Sequence, residues 1–158
     1  MSGGANAKNR TERVTLHARI RTLVVDDSPF MLKLLAQILK QMANFDLVGT
    51  ATNGGQALRQ VSALSPDLVL MDVHLPGLNG IQATQYIKRR EHPPAVVIIS
   101  SDARPITKEM AQKAGADGFL NKEEDLQNRL MSVLENLFGP SAATRSAVTD
   151  SSFHKQAA

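Results

Sequence analysis

The chain has 158 residues, 42% of them hydrophobic, and a formal net charge of +3, which suits one folded domain with a real core plus tails. It has no cysteine, so disulfides, thiol catalysis and cysteine-ligated zinc are excluded. Its longest apolar runs are too short to cross a bilayer and MSGGANAKNR lacks the apolar segment of a secretory signal, so a cytoplasmic protein with no membrane contact is expected.

The basic charge lies at the ends of the chain. Residues 1–22 carry five basic side chains against one acid and residues 139–158 two against one, whereas residues 23–138 hold 11 basic and 13 acidic ones. A basic arm can touch nucleic acid or anionic lipid, but the mildly acidic middle does not point to DNA binding by this chain. Residues 1–19 are polar and rich in Gly, Asn, Lys and Arg, and are expected to be a flexible basic tail. Residues 139–158 turn to Ser, Ala and Thr after a Gly-Pro break and are expected to be a disordered polar tail. Residues 20–138 remain for the domain.

In chain order that segment alternates strand-like and helical patterns. IRTLVVD opens it; Ser28-Pro29 then reads as an N-cap with proline at the first helical position, and Met31, Leu34, Leu35, Ile38, Leu39 and Met42 fall on one helical stripe. DLVGTA is the second strand, followed by Ala57, Leu58, Val61 and Leu64 and a stop at Ser65-Pro66. DLVLMD precedes a helix bearing Ile81, Thr84 and Ile87, and AVVIIS precedes one bearing Met110, Ala111 and Ala114, ended by Gly115. GFL is the short fifth strand, and Leu126, Leu130, Val133, Leu134 and Leu137 line the fifth helix. Near-continuous Val, Leu and Ile in three of the strands predicts parallel strands covered on both faces. Five strand–helix units predict a doubly wound α/β domain with right-handed crossovers.

Such sheets bind ligands beyond the carboxyl ends of their strands, and four of the five strands stop there at a polar residue. Asp26 and Asp27 end the first, Asp72 the third and Ser100 the fourth, while Lys122 follows the fifth. With strand order 2-1-3-4-5 these groups converge over one crevice. Three crowded carboxylates repel, a divalent cation relieves the repulsion, and magnesium takes one or two carboxylates plus waters and phosphate oxygens. A carboxylate beside such an ion can act as a nucleophile toward phosphorus, and phosphoryl transfer then needs charge neutralisation, which a lysine and a hydroxyl supply.

The motifs VVDDSP, LMDVHLPGLNG, VVIISSDA and GADGFLNK occur in this order. Together they resemble the receiver domain of two-component response regulators, from about Ile20 to Phe138. The resemblance implies a flavodoxin-like five-stranded parallel sheet flanked by five helices. It implies Asp72 as phosphoacceptor, Asp27 as direct ligand of Mg2+ (or Mn2+) and Asp26 as the acid that assists, with the His74 backbone carbonyl as a further ligand. It also implies Ser100 as the hydroxyl that swings to the phosphoryl group, Lys122 as the ammonium that pairs with it, and Phe119 as an aromatic switch; a short-strand phenylalanine is equally a core residue. On the same resemblance the His74 side chain and Asp102 would flank the acyl phosphate, where they can obstruct or orient the attacking water and so set its lifetime in either direction. The implied partners are a histidine kinase or histidine phosphotransfer protein upstream and an unknown downstream protein. The surface of the fourth helix, fifth strand and fifth helix would change for that partner. Charges there (Lys108, Glu109, Lys113, Glu123, Glu124, Asp125, Arg129) suit a homodimer contact or a solvated face alike.

Only 20 residues follow Phe138, so a stand-alone receiver is expected, with no DNA-binding domain in this chain. A phosphorelay intermediate or phosphate sink is the first alternative. An aspartate-nucleophile phosphohydrolase is the second, and it is disfavoured because His74, not an acid, stands two residues after Asp72. Receivers often place a proline after the lysine, with a cis bond between them. Glu123 stands there instead, which leaves a trans bond or a strained cis one as alternatives.

Overall fold

The computed structural model describes residues 19–139; the two tails assigned from the sequence lie outside the described residues. Hydrophobic runs and helical stripes fall where the sequence places them. Strands β1 (Ile20–Val25), β2 (Phe45–Ala51), β3 (Leu68–Asp72), β4 (Ala95–Ser100) and β5 (Gly118–Asn121) alternate with five helices. These are α1 (Pro29–Gln41), α2 (Gly54–Leu64), α3 (Gly80–Lys88), α4 (Pro105–Lys113) and α5 (Leu126–Phe138). All strands pair in parallel in the order β2-β1-β3-β4-β5, with one register shift against β2 at Thr22/Leu23.

The side-chain period of two divides each central strand between two cores. Leu23 and Val25, Val69 and Met71, and Val96 and Ile98 face α2, α3 and α4, meeting Ala57, Val61, Ile81, Ile87 and Ala111. Val24, Leu68, Leu70, Val97 and Ile99 face α1 and α5, meeting Leu35, Ile38, Leu39, Leu130 and Leu134. Leu130 and Leu134 are fully buried, so truncating either to alanine should cost about 2–5 kcal/mol. The stripe expected on α4 is corrected in one place. Met110 is 50% exposed, and the buried positions of that helix are Thr107 and Ala111. Methionine at 110 belongs to the solvent side, one residue out of phase with Ala111.

Helix starts follow local chemistry. Ser28 caps α1, its hydroxyl accepting from the Met31 N–H at 3.4 Å, with Pro29 at the first helical position. Asn79 and Gln82 form a reciprocal capping box at α3. Gly115 ends the α4 segment at φ +97°, where a side chain would be strained.

Candidate functional site

The carboxyl ends of β1 and β3 are adjacent, and they bring the acids together. Asp26 is 1% exposed and held on three sides. Its N–H donates to the Ala51 carbonyl at 3.0 Å, its Oδ1 accepts from the Ser28 N–H at 2.9 Å, and its Oδ2 meets Lys122 Nζ at 2.7 Å. Asp72 is 5% exposed, with Oδ1 3.2 Å from the same ammonium. Asp27 faces solvent at the rim. One carboxylate oxygen from each of the three lies within 4.8 Å of the others.

Gly80 allows Asp72 to sit where it does. A Cβ at residue 80 would stand 1.8 Å from the Asp72 carbonyl oxygen, so the first residue of α3 must lack a side chain. The Gly80 N–H also donates to the Val73 carbonyl at 2.9 Å, closing the loop that carries His74. Lys122 is brought in by β5: its N–H donates to the Ser100 carbonyl at 3.1 Å, and its side chain is 13% exposed. No described peptide bond is cis, so Lys122–Glu123 is trans.

The electrostatics are unbalanced. Burial pushes the Asp72 pKa up, the charge of Asp26 pushes it further with a smaller push from Asp27, and the Lys122 ammonium only partly compensates. Burial opposes the charge on Lys122, yet its hydrogen bond to Asp26 and the charges of Asp72 and Asp26 hold its pKa above the ordinary lysine value. Three hard carboxylates facing one ammonium are a donor set that suits a hard divalent cation, which prefers oxygen ligands.

The flanking residues lie along the segment after β4. Ser100 is fully buried, its Oγ accepting from the Asp102 N–H at 3.0 Å. The Asp102 carboxylate is gripped by Arg104, through Nε at 2.8 Å and Nη2 at 2.7 Å, and by the Thr107 hydroxyl at 2.8 Å. Hydrogen bonds from Arg104 and Thr107 hold its pKa far below the carboxylate range. His74 is 68% exposed, with Nε2 3.9 Å from Asp102 Oδ2, so the two residues paired in the sequence analysis are neighbours in space. Phe119 is half-buried: its ring packs against the α2/α3/α4 core and lies 5.9 Å from Lys108 Nζ. Sequence reasoning missed Arg104, Thr107 and the demand for glycine at 80, and it read Lys108 only as a surface charge, not as a neighbour of Phe119. Asp102 followed by Arg104 and Thr107 was a readable signal, since such acids tie loops before helices; a lysine over an aromatic ring has none.

The three carboxylates and the lysine thus sit at the switch point of a doubly wound parallel sheet, where such sheets bind ligands. The model of the response regulator receiver domain family matches residues 22–135, and the chain belongs to that family. Over 82 residues it is 45% identical to a protein-glutamate methylesterase/protein-glutamine glutaminase of Geobacillus kaustophilus, covering 52% of this chain and 23% of that protein. The curated relatives are longer: this chain spans 23% to 55% of their length. Among solved structures, the response regulator domain of Thermotoga maritima CheB is 32% identical with a TM-score of 0.69, covering 75% of this chain and 95% of that one. The CheX-CheY-BeF3-Mg+2 complex from Borrelia burgdorferi is 26% identical with a TM-score of 0.70, covering 75% and 89%. Among the described residues no helix is long and apolar enough to cross a membrane.

Proposed function

We propose that the chain is a cytoplasmic response regulator that accepts a phosphoryl group on Asp72 from a histidine kinase or histidine phosphotransfer protein. The supporting observation is the carboxylate triad of Asp26, Asp27 and Asp72 against a single ammonium, with Asp72 buried. Asp26, Asp27, Asp72 and the His74 carbonyl would hold Mg2+ (or Mn2+), which when bound neutralises the triad and the phosphoryl oxygens. An Asp72 carboxylate oxygen attacks phosphorus. The bond from phosphorus to the donor's imidazole nitrogen breaks, and its electron pair stays on that nitrogen. Lys122 pairs with the transferred oxygens and the Ser100 hydroxyl donates to one of them. Phe119 follows by turning inward, and the surface of α4, β5 and α5 changes for a downstream protein. His74 and Asp102 border the path of the water that later hydrolyses the acyl phosphate.

The test is intact mass after incubation with magnesium and a small acyl- or amido-phosphate donor, beside Asp72→Asn. One labile phosphoryl group, absent from the variant and without magnesium, supports the proposal. Rapid loss of that group would favour the relay or sink. Donor consumption without an adduct would favour a hydrolase, and neither adduct nor consumption would refute phosphoryl chemistry.

A further inference from the structure

Two consecutive residues of α4 reach the two groups assigned to move, Lys108 directly at the Phe119 ring and Thr107 through Asp102, which donates to Ser100 Oγ. Thr107 is buried, and its hydroxyl donates to Asp102 Oδ2 at 2.8 Å. Arg104 binds the same carboxylate through Nε, Nη2 and its own backbone N–H. Asp102 thus has little freedom, and its N–H stays aimed at Ser100 Oγ, 3.0 Å away. Lys108 sets its ammonium over the Phe119 ring at 5.9 Å. That ring borders an open cavity of about 280 Å³ lined also by Ala111, Gln112 and Ala116.

Each contact is broken by the motion required of its partner. Ser100 cannot keep accepting from the Asp102 N–H while turning its oxygen toward Asp72. Phe119 already packs partly against the core, and a turn that carries its ring deeper takes its face from under the Lys108 ammonium. Building on the receiver reading above, we propose that Thr107 and Lys108 are positioning residues that hold Ser100 and Phe119 in their resting arrangement. The first turn of α4 thereby couples the two. The plainer alternative is that Thr107 and Asp102 merely tie down the start of α4, where Arg104 offers no side-chain cap, and that Lys108 is a solvated lysine.

The sign of one effect separates these. A ligand that selects the engaged arrangement binds more tightly when the resting one is weakened. Coulomb attraction alone acts the other way, because removing an ammonium weakens binding of an anion. Beryllium trifluoride with magnesium, the pair named for the Borrelia burgdorferi complex, is the probe, titrated into the full chain. Thr107→Val and Lys108→Met should each tighten binding by about 2- to 5-fold, the size of one exposed cation–π or hydrogen-bond restraint. The gain from Lys108→Met should vanish when Phe119→Ala is also present. Lys108 is exposed, so its variant will fold and decides the question even if Thr107→Val does not. Unchanged or weaker binding by Lys108→Met would overturn the coupling. A lowered melting temperature with unchanged affinity in Thr107→Val would reduce that residue to a structural tie. Wild-type protein with no saturable binding would instead overturn the receiver reading itself.

Discussion

The two ends of the sheet use aspartate in opposite ways. At the amino ends of the strands each acid has a specific partner. Asp46 meets Arg19 at 3.1 Å, Asp117 meets Lys88 at 2.5 Å and accepts the Val96 N–H, and Asp67 accepts the Arg21 N–H at 2.8 Å. At the carboxyl ends Asp26 and Asp72 share the ammonium of Lys122, with the exposed Asp27 carboxylate beside them. The first arrangement is ordinary for structure, since these acids are solvent-exposed and each is also answered by a local cation or backbone N–H. The second crowds three carboxylates at one crevice, two of them buried against a single ammonium, a repulsion that a divalent cation would relieve.

Matched substitutions at the two ends sharpen this contrast, and the largest effect belongs to the carboxyl end. Lys122→Met leaves Asp26 and Asp72 buried without a cation and should cost about 3–5 kcal/mol in urea unfolding, partly restored by magnesium. Lys88→Met at the other end exposes a half-solvated Asp117 and should cost about 1 kcal/mol, with no magnesium response. Gly80→Ala drives a methyl group into the Asp72 carbonyl; a loss of about 2–4 kcal/mol is expected, together with slower phosphoryl uptake. A Lys122→Met protein as stable as the wild type would break the comparison.

Smaller effects differ in sign. Asp72→Asn removes charge from the crowded end and should stabilise the metal-free protein by about 1 kcal/mol, a rise of a few degrees in Tm. Asp117→Asn loses its pair with Lys88 and should destabilise by a similar amount. The pH dependence follows from the directions of the shifts. The folded-state pKa of Asp72 is raised, so its contribution is favourable below the ordinary value of 3.8 and is lost as pH rises through the folded value. The stability gap between Asp72→Asn and wild type should therefore open with rising pH. The pKa of Lys122 is also raised, so its contribution holds through neutrality and is lost only as pH climbs above the ordinary lysine range.

Much of this was readable in the sequence because it is local. Strand runs, the Ser28 cap, the Pro29 start and the Gly115 stop depend on neighbours in the chain. Convergence of Asp26, Asp27, Asp72 and Lys122 was also legible, since a fixed topology places carboxyl ends together. What escaped depends on side chains meeting across elements. The spacing of Met110 did not show which side of α4 would meet β5. The close approach of Gly80 to the Asp72 carbonyl and of Lys108 to Phe119 exists only once α3 and α4 have docked. Asp102, read as a neighbour of the acyl phosphate, spends its carboxylate on Arg104 and Thr107, a pairing set by the turn into α4.

The most direct measurement is a carboxyl-carbon NMR titration of Asp72 with and without magnesium. The account predicts a metal-free pKa above the ordinary 3.8 that falls when magnesium is added. A value at or below 3.8 in the metal-free protein, or one that magnesium does not move, would contradict it.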